Sequence, residues 1–442
     1  MSLLRYPKYK DSGVEWMGDV PEHWEAKPLK ALATMNDDVL PETTEPDYEI
    51  DYVDIGSVSL ESGIEKTETF VFADAPSRAR RRTLDGDVLV STVRTYLKAI
   101  CAIKNPAENL VVSTGFAVVR PQNYLHPSFA QYALQSSGFV NEIIARSTGV
   151  SYPAINPSEL GRIYLSTPPL SEQSVIVAFL DRETAKIDAL VEEQRRLIEL
   201  LKEKRQAVIS HAVTKGLDPH AKMKPSGIEW LGQMPAHWTN GALTRVASRV
   251  VVGIAEAATH AYVDNGIPIL RSTNIRAGRI IGEVLMVDSV FASERGSKEI
   301  RSGDLITVRT GNAGVTAVIP PALDGCQCFT ILITSLCKAA LPEFYCYYLN
   351  GDIAQKYFSI EGWGTAQVNI SVPILKTLPV PIPPTEEQAA IVSFLDIETA
   401  KVDALRTDAN RAIDLLQERR TALISAAVTG KIDVRGANRA RQ

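Results

Sequence analysis

Four arginines lie within five residues, at Arg78, Arg80, Arg81 and Arg82. Guanidinium groups bind phosphate oxygens, and such contacts give nucleic-acid binding much of its affinity and its dependence on salt. A solvated basic turn would contain the same residues, so that alternative stays open. We predict phosphate contacts for this basic cluster.

Two further arginines follow predicted strands at what look like corresponding places. Arg94 ends the run GDVLVSTVR, and Arg309 ends the run GDLITVR. Arginine can donate two hydrogen bonds to O6 and N7 of guanine, and asparagine or glutamine can pair with adenine. The alternative is that these arginines only cap strand ends. The other residues that we predict to contact a nucleic acid are Tyr96, Lys98, Ser151, Tyr152, Arg271, Asn274, Arg276, Asn312, Thr365, Gln367 and Asn369.

Motifs for catalysis are missing from the sequence. It contains no GxxxxGK[ST] loop for nucleotide phosphates and no Asn-Pro-Pro-aromatic motif of the kind that amino-methyltransferases use. The six histidines do not cluster, and Cys326 and Cys328 have no partners at zinc spacing. The sequence therefore predicts no catalytic, cofactor or metal site in this chain.

The distribution of charge and of apolar residues narrows the class of protein. A net charge of −5 argues mildly against a generic nucleic-acid binder, but residues 36–54 hold eight acids and no base, while residues 76–104 hold seven bases. No apolar run is long enough to cross a bilayer, and the first residues lack an apolar signal core. With five cysteines, an odd and low number, we expect a cytoplasmic protein without membrane association.

The chain is built from two copies of one unit. The phrase SGVEWMGDVPEHW begins at Ser12, and SGIEWLGQMPAHW begins 214 residues later at Ser226. PPLSEQSVIVAFLDRETAKIDAL begins at Pro168, and PPTEEQAAIVSFLDIETAKVDAL begins 215 residues later at Pro383. The stretches between these anchors diverge. A duplicated domain indicates a pseudo-two-fold molecule.

The second pair of phrases predicts two long helices. Apolar residues step by three and four through 176–212 and 391–423, which is the pattern of a coiled-coil seam. An ordinary amphipathic core helix is the alternative. If the stretch between the helices is one compact domain, its ends lie close together, so the helices must be antiparallel. We place Leu197 in the seam and expect Leu197→Asp to cost several kcal/mol.

The Trp-bearing phrases have a predicted structural role. The first is expected to pack against the end of the second helix, and the second lies directly after the first helix. The variable stretches contain β-type runs such as IDYVDIGSVSL and helical runs such as FAQYALQSSGFVNEIIARS. We therefore predict an α+β fold in which each Trp phrase leads into one variable domain.

Several of these motifs resemble one known family. PPLSEQSVIVAFLD and PPTEEQAAIVSFLD resemble the P-P-x-x-E-Q-x-x-I-x-x-x-L signature of specificity (S) subunits of type I restriction-modification systems. GVSYPAI at Gly149, GTAQVNI at Gly364 and the two W-x-G-x-x-P-x-H-W phrases are also typical of that family. The resemblance covers nearly the whole chain and is specific in the two helical regions.

The resemblance implies a fold and a function. The two variable domains are α/β target recognition domains, each reading half of a bipartite site in double-stranded DNA, and a long antiparallel two-helix coiled coil sets the gap between the half-sites. Two methyltransferase subunits that carry S-adenosylmethionine and a translocase–nuclease subunit complete the complex. This chain is then non-catalytic and holds no cofactor of its own.

Two other functions compete with this interpretation. One is a single-chain methyltransferase–nuclease with fused recognition domains, and the other is a coiled-coil adaptor that does not touch DNA; RNA binding is a weaker third idea. The predicted limits are 1–167 for the first recognition domain, 168–217 for the first helix, 218–382 for the second recognition domain, 383–433 for the second helix and 434–442 for a flexible tail.

Overall fold

The structure is a computed structural model and describes residues 4–60, 62–254, 261–294, 299–364 and 368–436. The chain divides into two compact units, the first formed by Met1–Gln194 with Arg411–Gln442 and the second by Arg195–Asn410. The division falls inside both long helices, so each unit contains one half of each helix. The domain limits given above follow the sequence motifs instead and stay a prediction.

The first unit is a mixed α+β structure. Its strands are β1 (Tyr9–Asp11), β2 (Asp19–Pro21), β3 (Glu25–Pro28), β4 (Ala33–Met35), β5 (Glu49–Val53), β6 (Val58–Ser59), β7 (Gly63–Ile64), β8 (Glu68–Val71), β9 (Ala79–Arg82), β10 (Val88–Ser91), β11 (Ile100–Ala102), β12 (Leu110–Ser113), β13 (Phe116–Pro121) and β14 (Tyr164–Thr167). Its helices are α1 (Pro127–Gln135), α2 (Ser137–Arg146), α3 (Pro157–Leu160) and the first half of α4 (Leu170–Lys215).

Two four-stranded sheets form the centre of the first unit, in the orders β11-β10-β13-β4 and β8-β5-β12-β9. Strand β10 is buried on both faces, because Val88 and Val90 belong to the core shared with α1 and α2, whereas Leu89 belongs to a second core with Val112. Side chains alternate across a strand, so the uninterrupted apolar run VLV fits a strand buried on both sides. The sheets are therefore held back to back by β10.

The second unit repeats this plan. Its strands are β15 (Met223–Pro225), β16 (Gln233–Pro235), β17 (Thr239–Ala242), β18 (Ala247–Val252), β19 (Tyr262–Val263), β20 (Ile267–Leu270), β21 (Ile275–Arg276), β22 (Arg279–Ile280), β23 (Leu285–Val287), β24 (Leu305–Thr307), β25 (Thr316–Val318), β26 (Gln327–Cys328), β27 (Leu332–Leu336) and β28 (Pro379–Ile382). Its helices are α5 (Ser289–Glu294), α6 (Pro342–Leu349), α7 (Asp352–Glu361), α8 (Val372–Thr377) and the first part of α9 (Thr385–Val428).

The sheets of the second unit show both the duplication and the divergence. The order β25-β24-β27-β18 matches β11-β10-β13-β4, and the parallel pair β20 and β26 matches the parallel pair β5 and β12. The second sheets differ at their edges. In the first unit β9 extends the sheet beyond β12, whereas in the described part of the second unit β19 extends it beyond β23. Arg80, Arg81 and Arg82 of the basic cluster lie on β9, a strand without a counterpart in the described part of the second unit.

The two long helices run in opposite directions, as predicted. In the first unit, Ile176 near the start of α4 shares a buried core with Ala427 near the end of α9. In the second unit, Ala212 near the end of α4 shares a buried core with Ile391 near the start of α9. Each unit therefore pairs the beginning of one helix with the end of the other.

The predicted seam is wrong at three positions. Leu190, Leu197 and Leu405 are exposed, and Leu197 retains 40% of its accessible surface. Leu201 is buried as predicted, and Val191 is buried in place of Leu190. Residues three and four apart both lie near one face of a helix, so the apolar pattern alone cannot select between neighbouring leucines and valines; the partner helix does. Because Leu197 is exposed, the cost of several kcal/mol predicted for Leu197→Asp is no longer expected.

Each Trp-bearing phrase closes over a helix end. Gly430, just past α9, has φ +72°, and a Cβ there would overlap Pro21 and crowd the buried ring of Trp24. Gly216, just past α4, has φ +73° and lies against Trp238. A left-handed residue after a helix favours glycine, and here the missing side chain also admits the Trp phrase.

The Glu-Gln pair of the helix signature ties together three parts of each unit. Glu172 accepts from Tyr6 and lies 2.7 Å from His23 of the Trp phrase. The buried amide of Gln173 accepts from the backbone N–H of His126, which precedes α1. In the second unit Glu387 bonds His237 and Trp238, and Gln388 accepts from the N–H of Leu341, which precedes α6. The signature therefore fixes each variable domain on its helices.

Candidate nucleic-acid interface

In the first unit, several loops meet at one end of the two sheets. Strands β5 and β12 run parallel and end together, with Val53 opposite Val112. The N–H of Thr92, just after β10, donates to the carbonyl of Gly115, and the N–H of Thr114 donates to the carbonyl of Arg78. The start of β9 and the turn after β10 therefore lie at the same end of the unit.

The turn after β10 is strained at both ends. Arg94 and Lys98 each have φ +53°, and they flank a 3-10 turn at Thr95–Leu97. The left-handed region costs a residue with a side chain roughly 1–2 kcal/mol. Thr95 is buried, and its hydroxyl lies 2.8 Å from that of Ser147, which anchors the turn. Arg94, Tyr96 and Lys98 all point a substantial part of their side chains to solvent.

A short hairpin lies beside this turn. Thr148 pairs with Ala154, Ala154 also pairs with Val93, and the N–H of Ile155 donates to the carbonyl of Thr92. Val150 at the tip is fully exposed, and Tyr152 retains 61% of its accessible surface. The residue Ser151 between them is exposed as well.

Arg94 and Tyr152 are brought together although 58 positions separate them. The guanidinium carbon of Arg94 lies 4.9 Å from the centre of the Tyr152 ring, which is cation–π geometry. Arg94 stays exposed to solvent, and a guanidinium held against a ring can still donate through the N–H groups in its plane. The geometry can present a planar set of donors to a planar pair of acceptors.

Three arginines of the basic cluster, Arg80, Arg81 and Arg82, lie on strand β9, and Arg78 lies in the turn before it. Strand β9 pairs with β12 through a bulge, and Val39 pairs with Arg81 on its other side. Arg80 stacks on Phe72 at 4.7 Å, and Arg82 lies 3.9 Å from Asp38. Part of the acidic stretch therefore runs along the basic strand. Arg78 and Arg82 are exposed, whereas burial lowers the pKa of Arg81.

The second unit builds the same surface with a register that corrects the sequence alignment. The N–H of Ile370 donates to the carbonyl of Arg309, as that of Ile155 does to Thr92. Arg309 therefore corresponds to Thr92 and not to Arg94. The residue that corresponds to Arg94 is Gly311, two positions further along.

The other predicted contacts of this surface lie close together. Thr310 pairs with Asn369, and its hydroxyl donates to the side chain of Asn369. Asn312 is exposed in the turn, and Arg309 is half-buried. Trp363, which also pairs with Asn369, retains 58% of its accessible surface. Two predicted residues of this hairpin lie outside the described residues: Thr365 and Gln367.

The predicted residues after β20 have unequal roles. Asn274 is only 3% exposed, and its side chain accepts from the N–H of Arg271 and donates to the carbonyls of Ile281 and Glu283. Asn274 therefore holds the turn and does not face solvent. Arg276 is exposed and Arg271 is half-buried.

Exposed apolar side chains were missed by sequence reasoning. Val150, Leu97 and Trp363 stand on the same turns as the predicted polar residues, and each is largely exposed. Their signal was weak, because a single apolar residue in a polar loop is common on protein surfaces.

Reactive side chains do not gather elsewhere in the described part of the chain. No group of three or more His, Cys, Asp or Glu residues there could hold a metal ion. Burial raises the pKa of Cys326 to about 12, so its thiol stays protonated near neutrality. Within the same residues, no helix is both long and apolar enough to cross a membrane.

Comparison with known proteins gives matches along most of the chain. A family model described as "Type I restriction modification DNA specificity domain" matches residues 21–200 and 262–413. The type I restriction enzyme EcoKI specificity subunit of Escherichia coli (strain K12) is 23% identical over 434 residues, which are 94% of this chain and 90% of that protein. The StySPI specificity subunit of Salmonella potsdam is 23% identical over 435 residues, with the same coverage.

Solved structures share the fold. A chain from the structure entitled "Structural basis underlying complex assembly and conformational transition of the type I R-M system" aligns with a TM-score of 0.71 and 21% identity, covering 92% of this chain and 98% of that one. The crystal structure of the HsdS subunit from Thermoanaerobacter tengcongensis aligns with a TM-score of 0.50 and 21% identity, covering 93% and 98%.

Proposed function

The chain belongs to the family of type I restriction-modification DNA specificity proteins, and we propose that each of its two units reads one half of a bipartite site in double-stranded DNA. The family identity confirms the interpretation as a specificity subunit, and neither the single-chain methyltransferase–nuclease nor the adaptor is supported. This chain recognises DNA, and other subunits catalyse the reactions.

The observation that carries the two-reader proposal is the duplicated surface. Each unit places a turn after its central strand beside a hairpin, joined by the same backbone hydrogen bond, from Ile155 to Thr92 or from Ile370 to Arg309. The side chains on these surfaces differ, with a stacked arginine and tyrosine in one and Trp363 with Asn369 in the other. One scaffold with two sets of donors suits the reading of two unlike sequences.

Partly buried arginines add support in both units. The Nε atoms of Arg81, Arg271 and Arg309 are buried and have no hydrogen-bond partner among the described residues. The Nε atoms are shielded, so an acceptor on a bound nucleic acid would meet the terminal N–H groups of these guanidinium groups. DNA supplies such acceptors on its phosphates and on its base edges.

The proposal includes partners. Two methyltransferase subunits would carry S-adenosylmethionine and transfer the methyl group, and a translocase–nuclease subunit would complete the restriction complex in the cytoplasm. Exposed leucines on the long helices offer apolar contacts for such subunits: Leu190 and Leu415 in the first unit and Leu197, Leu200 and Leu405 in the second. The helices would also set the gap between the half-sites.

The test maps methylated adenines across a genome that carries the methyltransferase subunit, with and without this gene. The expected result is a split motif with a fixed central gap that appears only with the gene. Methyl transfer by the purified chain alone would instead support the single-chain enzyme. Methylation without any split motif would contradict the two-reader proposal.

The two halves of the motif are then assigned to the two units. Alanine at Tyr152 changes only the first unit, and alanine at Trp363 changes only the second. Each variant should alter one half of the motif and leave the other half and the gap intact. A variant that alters both halves equally would contradict independent readers.

A further inference from the structure

Each unit has a turn after its central strand with two left-handed positions, but the turn of the first unit is one residue longer and the positions hold different residues. In the second unit they are Gly311 (φ +86°) and Gly314 (φ +89°). In the first unit they are Arg94 and Lys98, each at φ +53°. Glycine adopts these angles freely, whereas a residue with a side chain is strained there. The fold therefore needs only glycine at both positions.

The correspondence rests on the hydrogen bonds on either side of the turn. The N–H of Ser91 donates to the carbonyl of Ala99 in the first unit, and the N–H of Val308 donates to the carbonyl of Val315 in the second. Lys98 and Gly314 are the residues that precede these acceptors. Both turns therefore close onto the neighbouring strand, across eight positions in the first unit and seven in the second.

No ion pair within the described part of the fold offsets the strain at these two cations. Both side chains are exposed, and among the described residues neither has a carboxylate within ion-pair distance. The Arg94 side chain contacts the ring of Tyr152. Backbone strain that no ion pair within the fold offsets points to a function.

The stack on Tyr152 separates Arg94 from a simple phosphate contact. A phosphate accepts from a guanidinium in many orientations, so it does not require the plane to be held. Guanine presents O6 and N7 side by side at the edge of the major groove, and these two acceptors need a guanidinium in one plane. A flat ring against one face of the guanidinium reduces the orientations that must be lost on binding.

We propose that Arg94 reads a guanine in the half-site of the first unit and that Tyr152 is a positioning residue for it. This inference rests on the proposed function, because it assumes that the first unit reads DNA. Lys98, for which the described residues provide no stacking partner, carries a point charge on a flexible stem, and such a charge suits a phosphate contact. The second unit, with glycine at both places, has neither contact.

The experiment uses the full complex of this chain with its methyltransferase subunits and a DNA library randomised across both half-sites. The variant Arg94→Gly places there the residue that the second unit already has, so the turn keeps its conformation. We expect the preference for guanine at one position of the first half-site to fall by about 10- to 100-fold. Preferences in the second half-site should not change.

Lys98→Gly is the matched control, because it makes the same backbone change four residues away. It should weaken methylation of all sequences alike and leave the preferred motif unchanged. A uniform loss with Arg94→Gly as well would overturn the proposal and make Arg94 a phosphate contact. No change at any position with Arg94→Gly would overturn it too.

The role of Tyr152 is tested by its ring. Tyr152→Phe keeps the stacking surface and should retain the guanine preference, whereas Tyr152→Ala should reduce it at the same position as Arg94→Gly. Replacing that guanine with 7-deazaguanine removes N7; it should impair the unaltered complex and have little further effect on Arg94→Gly. Equal impairment of both would overturn direct reading of N7.

Failure of the proposed function and failure of the inference about Arg94 give different results. If the unaltered complex methylates without a split motif, the proposed function fails and this inference falls with it. If a split motif is found but no guanine depends on Arg94, the proposed function stands and only this inference is overturned.

Discussion

Arg420 donates through Nε to a carboxylate oxygen of Asp188 at 2.9 Å, and this links the later part of α9 to the first half of α4. The equivalent residues of the other copy form the same pair, with Nε of Arg205 3.5 Å from Asp403. One arginine–aspartate pair thus recurs in each unit between antiparallel helices. Such a pair fixes the register, because shifting one helix by a turn would separate both pairs at once.

Reversing the charges of this pair tests the register. Asp188 is more than half exposed, so the pair contributes less than about 1 kcal/mol. Asp188→Arg alone should lower the free energy of unfolding by a similar amount, since it places two arginines together. Adding Arg420→Asp should recover most of that loss, as measured by urea unfolding. A double variant that is no more stable than the single one would argue against this register.

The corrected seam predicts unequal effects for two leucines on α4. Leu201 is 7% exposed and Leu197 is 40% exposed. Leu201→Ala should cost about 2–3 kcal/mol, because it removes buried methyl groups and leaves a cavity. Leu197→Ala should cost less than about 1 kcal/mol. Denaturant unfolding of the two variants in parallel makes the comparison, and equal costs would show that Leu197 belongs to the seam after all.

The exposed leucine should matter for assembly instead. Leu197→Asp is expected to leave the chain folded, with an unfolding midpoint close to that of the unaltered chain. Its association with the methyltransferase subunit should weaken by about tenfold or more, because a charge would enter an apolar contact. Isothermal titration with the purified subunit measures the affinity. Unchanged affinity would exclude this leucine from the docking surface.

How far the sequence could predict the structure depends on the range of each signal. The repeat, the long helices and their antiparallel pairing follow from periodicity and from the order of elements, which are properties of long stretches. The choice of Val191 over Leu190 does not follow from them. It depends on which of two neighbouring positions the partner helix covers, and that information is tertiary.

The register of the reading turns was lost for a related reason. The string VRT occurs in both copies and suggests that Arg309 corresponds to Arg94. In the structure, however, Arg309 occupies the position that Thr92 has in the first unit. The correspondence is set by backbone hydrogen bonds from Ile155 and Ile370, and the local amino-acid sequence does not reveal these bonds. Asn274 was misplaced because an asparagine that caps a turn and one that reads a base look identical in a sequence. The stacking of Arg94 on Tyr152 joins residues 58 positions apart and was equally hidden.

Strain in the first reading turn predicts a gain in stability at the expense of function. Lys98→Gly should stabilise the chain by up to about 1 kcal/mol, because relief of the left-handed strain exceeds the entropy that glycine adds to the unfolded chain. Arg94→Gly should gain less, since it also removes the stack on Tyr152. Thermal unfolding measures both. Lys98→Ala keeps the strain and serves as the control; a gain as large as that of glycine would exclude strain relief as the cause.

One buried and one half-buried tyrosine predict a loss of stability in alkali. Tyr132 donates to Asp181 at 2.6 Å, and Tyr347 donates to Asp396 at 2.7 Å. Burial raises the pKa of each to about 12. In the unfolded chain tyrosine ionises near pH 10, so unfolding releases protons above that pH. The stabilisation is complete below about pH 10 and is lost as the pH rises towards 12.

Phenylalanine variants test this assignment. Tyr132→Phe with Tyr347→Phe should flatten the dependence of the unfolding free energy on pH between about 10 and 12. The double variant should also be less stable near neutrality by about 1–2 kcal/mol, because both aspartates lose a donor. An unchanged slope in that pH window would mean that other groups cause the alkaline loss.

The basic strand β9 predicts how binding depends on salt. Arg82 is exposed, so Arg82→Ala should lower the slope of log K against log salt by about 1 and weaken binding alike for all DNA sequences. Alanine at Arg80, Arg81 and Arg82 together should flatten the slope further, as expected for phosphate contacts. Asp38→Asn is the complementary control: it removes the carboxylate 3.9 Å from Arg82 and should tighten binding. Binding of the full complex at several salt concentrations measures each slope. An unchanged slope in the triple variant would show that β9 lies away from the DNA backbone.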